Sequence, residues 1–237
     1  SNSTVKGGLM FLEDYWDELP SYGEMGCPPD AVGVGFWRPW VSDQANILRI
    51  LKTLRLLQPT KVVETGTYEG LTTFEMAKVV DEVCRTKGTI GEVYTFDTMG
   101  PVSCYSDGKT ESTDWETSPQ WVGWKRLVDI RNQRLTTPLS NCKIEFIVGL
   151  TQDTLPKSVQ KLEGWDFWYQ DSVHGLDLII GEWGCMKPIS KVGSVVVFDD
   201  IVEGHPLREW FPKNNPNWFY KISENGTRSQ LWAERAV

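Results

Sequence analysis

Two spacings alternate along the chain: short runs of adjacent apolar residues, and stripes of apolar residues three and four apart. From Ile47 through Ile50, Leu51, Leu54 and Leu57 the apolar positions form one helical stripe, which Pro59 stops. Ser42 or Asp43 stands where such a helix is capped. Val62 and Val63 then suit a strand buried on both faces, and helical spacing returns from Leu71 to Val80. Further strand-like runs near 92–97, 143–148, 165–170 and 194–199 alternate with helical patterns. That alternation predicts an α/β chain with a doubly wound, mostly parallel sheet covered on both faces, whose ligands sit beyond the carboxyl ends of the strands. At the end of the chain, Trp218–Ser223 and Ser229–Ala233 flank Asn225-Gly226, the strongest short hairpin signal. An antiparallel C-terminal pair brings the expected sheet to seven strands.

Two stretches escape both periods. Residues 1–40 are rich in Gly, Pro and aromatics, with breakers at Cys27-Pro28-Pro29 and Arg38-Pro39, and read as an irregular arm. Residues 98–143 are longer than a simple crossover needs and read as an insertion or substrate lid. Tyr105, Trp115, Trp121 and Trp124 alternate there with Asp107, Asp114 and Glu116, able to stack on a sugar or aromatic ring and bond its hydroxyls, or simply to pin the insertion to the core. The whole, 1–237, is expected to be one domain.

Composition narrows the partners. With 237 residues, 40% of them apolar, the chain is long enough for one substantial core. A net charge of −8 argues against a phosphate-tracking surface and hence against nonspecific nucleic-acid binding. No apolar run approaches the ~18 residues of a membrane span, and the beginning of the sequence does not read as a signal peptide, so the expected location is cytoplasmic. Five scattered cysteines without C-x-x-C spacing indicate reduced thiols rather than a zinc knuckle or a disulfide framework.

The most informative segment is Val62-Val63-Glu64-Thr65-Gly66-Thr67-Tyr68-Glu69-Gly70, where the first strand ends in an acid and a glycine-bracketed turn that opens into a helix. Gly66 and Gly70 permit tight or positive-φ backbone beside a ligand. The spacing lacks the third glycine of the dinucleotide fingerprint, and Glu64 places a carboxylate where a pyrophosphate would be repelled. A ligand with a cationic or hydroxyl-rich part fits better, which disfavours a nicotinamide dehydrogenase.

Val63–Gly70 resembles the first motif of class I S-adenosylmethionine-dependent methyltransferases. Glu92–Asp97 resembles the second strand with its terminal acid, Ile144–Gly149 the third strand, Trp165–Asp171 the fourth and Gly193–Ile201 the fifth. These five landmarks fall in family order, and the nearest subgroup is the small-molecule O-methyltransferases of macrocin and catechol type. The resemblance implies a Rossmann-like sheet and S-adenosyl-L-methionine as cofactor. It places the methionine end of the cofactor at Glu64, Gly66, Thr67, Tyr68, Gly70 and Thr72, the ribose at Asp97, and the adenine near Gly149, with Thr151 or Gln152 accepting its amino group where the family often has Gly-Asp-Ala. Asp171 borders the same site.

Asp171, Asp199 and Asp200 close the fourth and fifth strands, and three carboxylates converging there would repel unless protonated or bound to a hard cation. The catechol-type and macrocin-type pattern implies Mg²⁺ on these three aspartates. His174 stands where the catechol-type pattern has a basic lysine, and a histidine can take a proton near neutral pH. His205 is the second candidate for that role. Relatives often carry a second acid where this chain has Val173. The expectation is therefore an O-methyltransferase, Mg²⁺-assisted, acting on a hydroxyl of a small molecule such as a glycosylated natural product. A metal-free N- or O-methyltransferase and a non-catalytic cofactor-binding module are the alternatives, and a homo-oligomer stays open.

Overall fold

A computed structural model describes residues 41–68, 70–98, 119–172, 174–224 and 229–237, with side chains from 46 in the first helix and from 128 in the third. The elements in chain order are α1 (Val41–Leu57), β1 (Lys61–Thr65), α2 (Leu71–Lys87), β2 (Gly91–Asp97), α3 (Pro119–Thr136), β3 (Cys142–Val148), α4 (Thr151–Leu162), β4 (Trp165–Gln170), α5 (Leu176–Met186), β5 (Ser190–Phe198), α6 (Leu207–Asn214), β6 (Trp218–Ser223) and β7 (Gln230–Arg235). The seven strands form one sheet in the order β3-β2-β1-β4-β5-β7-β6. β1 to β5 pair in parallel, and β7 runs antiparallel between β5 and β6. The expected fold class is the observed one, including the antiparallel C-terminal pair. Its turn, Asn225-Gly226, lies outside the described residues, as do the arm at 1–40 and the aromatic–acidic stretch of the insertion before 119.

The strand period of two sorts the core into two layers. Val62, Val93, Phe167, Tyr169, Val195 and Val197 face α1 and α2, meeting Ile50, Leu54, Met76, Val80 and Val83. Their neighbours Val63, Phe96, Trp168, Val196 and Phe198 face Leu155 of α4, Ile179 and Trp183 of α5 and Phe211 of α6. Five of the tryptophans are structural: Trp165, Trp168, Trp183, Trp218 and Trp232 are buried. Trp168 stacks on Trp183 with centroids 6.2 Å apart, and Trp183 meets Trp218 edge-on at 4.7 Å. Each of three indole N–H groups in this layer donates to an oxygen, Trp165 to Met186 O, Trp168 to Thr65 Oγ1 and Trp183 to Asn215 Oδ1.

Two local readings need correcting. Ser42 and Asp43 lie within α1 rather than ahead of it, because the helix already includes Val41. The segment from 98 to 143 is not wholly irregular, since α3 occupies its second half. Its apolar positions are interleaved with arginines, which hides the stripe, and Arg131 and Leu135 pack against the turn at Gly70. The helix thus takes the place of the crossover between β2 and β3.

Candidate functional site at the strand carboxyl ends

The order of the strands reverses between β1 and β4: the chain moves outward from β1 through β2 to β3, then returns to β4 and β5 on the other side. A doubly wound sheet leaves its ligand crevice at such a switch point. The backbone ladder runs past the strands and holds the loops there, with Gly66 N donating to Phe96 O at 2.8 Å, Asp171 N to Thr65 O at 2.8 Å, and Gly149 N to Asp97 O at 2.8 Å.

Gly66 has φ +100°, and a Cβ on it would overlap the backbone of Asp171, so the turn after β1 and the loop after β4 touch directly. Gly70 has φ +72° and precedes α2. Between them Tyr68, also at positive φ, presents its backbone N–H to Asp97 Oδ2 at 2.5 Å. This contact folds the turn across the end of β2, so Glu64 and Asp97 flank one short piece of backbone. Burial raises the Asp97 pKa above the usual carboxylate value, against the opposing effects of the Tyr68 N–H and the Arg131 guanidinium. Arg131 from α3 reaches Tyr68 O at 3.4 Å and lies over the Phe146 ring at 4.7 Å.

Glu64 is fully buried. Its Oε2 accepts from Thr73 Oγ1 and, at 2.7 Å, from Thr95 Oγ1, while Oε1 has no hydrogen-bond partner among the described residues. Desolvation pushes its pKa up to about 7, outweighing the two threonine hydroxyls. A buried carboxylate oxygen without a donor suits an incoming cation. Thr73 and Thr95 were not anticipated from sequence: Thr72 was, but it is Thr73, one position on, whose hydroxyl reaches the acid. The helical phase of α2 would have found it, because Thr73 shares the buried face with Met76, Ala77 and Val80.

On the other side of the switch point the structure departs further from expectation. Thr151 opens α4 and is one of the groups that hold the Glu182 carboxyl's pKa down against burial. Asp199 is 4% exposed and its oxygens are engaged: Oδ1 accepts from Gln230 Nε2 at 2.7 Å and Oδ2 from Tyr169 OH at 2.9 Å. The same phenol lies 3.4 Å from Asp171 Oδ2. Asp200 takes a left-handed backbone, φ 55°, and turns its carboxylate toward His174, with Oδ2 3.5 Å from Nε2. The repulsion expected among Asp171, Asp199 and Asp200 is therefore relieved by a phenol, an amide and an imidazole. Among the described residues no group of three or more His, Cys, Asp or Glu side chains is placed to hold a metal ion. The three aspartates do not fit a shared Mg²⁺ site.

The two histidines differ. His205 Nδ1 accepts from Leu207 N at 3.1 Å and Nε2 lies 2.7 Å from His174 O, so Nε2 carries the proton and both ring nitrogens are occupied. That arrangement straps the loop after β4 to the loop before α6, and it leaves His205 no lone pair for general-base work. His174 keeps one: Asp200 lies beside Nε2, and the buried Nδ1 has no hydrogen-bond partner among the described residues.

No curated protein matches the chain by sequence. Among solved structures it is similar to cofactor-bound Rv0187 from MTB, with TM-score 0.55 and 17% identity over 99% of this chain and 93% of that one. It is similar also to the O-methyltransferase from Bacillus cereus in complex with SAH, with TM-score 0.53 and 13% identity over 98% and 93% of the two chains. The O-methyltransferase TomG from Streptomyces achromogenes, involved in tomaymycin synthesis and in complex with SAM, gives TM-score 0.50 and 14% identity over 100% and 91%. At such identities these likenesses speak to fold alone. The sequence itself matches the profile described as methyltransferase domain over residues 63–201, from inside β1 to just past β5. That stretch is more than half of the chain and contains both strand-end acids, the glycine turn and His174; the protein belongs to this methyltransferase family.

Proposed function

We propose that the protein is an S-adenosylmethionine-dependent O-methyltransferase that acts on a small hydroxylated molecule without a bound metal. One observation carries the reading: a buried acid with an unengaged oxygen, Glu64, and a second acid, Asp97, flank a glycine turn at the switch point of the sheet. Glu64 would receive the aminium group and Asp97 the two ribose hydroxyls, which a carboxylate can accept together. The similar proteins from Bacillus cereus and Streptomyces achromogenes, solved with SAH and SAM, support the same ligand class. Bound S-adenosylmethionine supplies a methyl group on a sulfonium, activated for in-line attack by an oxygen.

The chain's part is then alignment and one proton. His174, whose ring is partly exposed, would take the acceptor hydroxyl's proton, with Asp200 beside its Nε2 holding the ring and stabilising its charge. Asp171 borders the acceptor side, its backbone packed against Gly66. Holding donor and acceptor at the facing turns supplies most of the rate, as effective molarity. Of the aromatic residues that suggest a glycosylated acceptor, Tyr105 and Trp115 lie outside the described residues, and Trp121 and Trp124 fall in α3 ahead of its described side chains, so the acceptor class stays a small hydroxylated molecule.

Calorimetry tests the reading. The protein should bind S-adenosylhomocysteine and not NAD, and Asp97→Ala should weaken that binding by roughly 1.5–3 kcal/mol, the range for a hydrogen bond to a charged group. Binding of NAD in place of S-adenosylhomocysteine would overturn it. With a panel of hydroxylated acceptors, His174→Ala should slow methyl transfer by about 10²–10⁴-fold while leaving S-adenosylhomocysteine affinity intact. Full activity in that variant would remove His174 from the mechanism.

A further inference from the structure

Glu182 takes no part in the steps above, yet it is a carboxylate 2% exposed at the heart of the site's support. It lies on α5 beneath the carboxyl ends of β1 and β4. Thr65 Oγ1 donates to its Oε2 at 3.2 Å and Ser172 Oγ to its Oε1 at 2.6 Å, and the Thr151 hydroxyl and the Gln170 amide help hold its pKa down against burial. Gln170 Nε2 also donates to Ser172 Oγ at 3.3 Å, so the donors are joined to one another. Each carboxyl oxygen thus accepts one hydroxyl, and two further polar groups stand beside it.

These four groups adjoin three parts of the crevice. Thr65 precedes Gly66, Gln170 and Ser172 flank Asp171, and Thr151 opens α4 two residues after Gly149. A core that needed only filling would be served as well by an apolar side chain, because burying a carboxylate is costly unless every oxygen is bonded. Charge-assisted bonds are short and directional, so they fix the loops they tie. We propose that Glu182 is a positioning residue whose carboxylate keys the turn after β1, the loop after β4 and the start of α4 into one rigid rim. The rim sets the methyl donor's turn against the loop that carries Asp171 and His174. This rests on the methyltransferase reading of the site.

The test uses the full chain and S-adenosylhomocysteine as probe. Glu182→Leu, folded by circular dichroism, should bind it at least about tenfold more weakly, the scale of a small misplacement at a site. Glu182→Gln should stay within about threefold of wild type, because three of the partners are hydroxyls that can reverse their bonds. Val195→Ala, in the layer facing α1 and α2, serves as a destabilised control that should lower the thermal midpoint without changing affinity. In hydrogen exchange, S-adenosylhomocysteine should protect the peptides containing Gly66 and Asp171 together in wild type, and Glu182→Leu should uncouple them. If Glu182→Leu does not fold, Thr65→Val and Ser172→Ala remove one donor each and should weaken binding in turn. Wild-type affinity in folded Glu182→Leu, or in both donor variants, overturns the proposal. Absence of S-adenosylhomocysteine binding by the wild type overturns instead the reading on which it rests.

Discussion

Glu64 carries the sharpest consequence at the scale of single residues. Its folded pKa of about 7 lies above the ordinary value of 4.5, so between those values the folded chain holds a proton that the unfolded chain has released. Stability from this group is therefore fully present below about 4.5 and declines as pH rises toward 7. Glu64→Gln should flatten that decline, read as thermal midpoint against pH in the ligand-free protein. A cationic aminium on Oε1 would favour the ionised acid, so binding near pH 7 should release part of a proton. Calorimetry in buffers of different ionisation enthalpy would show the release in wild type and its loss in Glu64→Gln. Equal proton counts in both would mean that Glu64 does not meet the cation. Sequence located this acid by its place at a strand end, but the threonines that bond it come from α2 and β2, nine and 31 positions away.

Among the elements, the loops after β4 and β5 depend on each other through His205. Its ring links His174 O to the first turn of α6, a contact between residues 31 positions apart. His205→Ala should loosen the loop after β4, so that the peptide containing Ser172 and His174 exchanges amide hydrogens faster. The lost bond from Leu207 N should cost about 1 kcal/mol, the net worth of an ordinary hydrogen bond. S-adenosylhomocysteine affinity should fall less than in Glu182→Leu, because Glu182 still ties Ser172 to Thr65. Unaltered exchange in that variant would mean that the strap is incidental. No periodicity announces such a link, since both histidines sit in irregular loops whose approach depends on how β4 and β5 pair.

For the molecule as a whole, the treatment of three carboxylates at neighbouring strand ends decides the metal question. With Asp199 bonded by Tyr169 and Gln230 and Asp200 turned to His174, the described residues offer Mg²⁺ no shared donor set. Added Mg²⁺ or EDTA should leave the thermal midpoint and S-adenosylhomocysteine affinity unchanged, as read by scanning calorimetry and titration. A saturable rise in midpoint with Mg²⁺, lost in Asp199→Ala, would restore the metal site. Gln230 arrives from β7, the last strand, which only the antiparallel insertion beside β5 brings next to Asp199. The amino-acid order by itself determined the α/β alternation, the five parallel strands, the closing hairpin strands and the acids that end β1 and β2, because these follow from local period, turn chemistry and strand length. Which oxygen of each acid is engaged, which histidine keeps a lone pair, and whether three aspartates act together were decided by tertiary structure, since their partners Tyr169, Thr73, Thr95 and Gln230 reach the site only through strand order and helix packing.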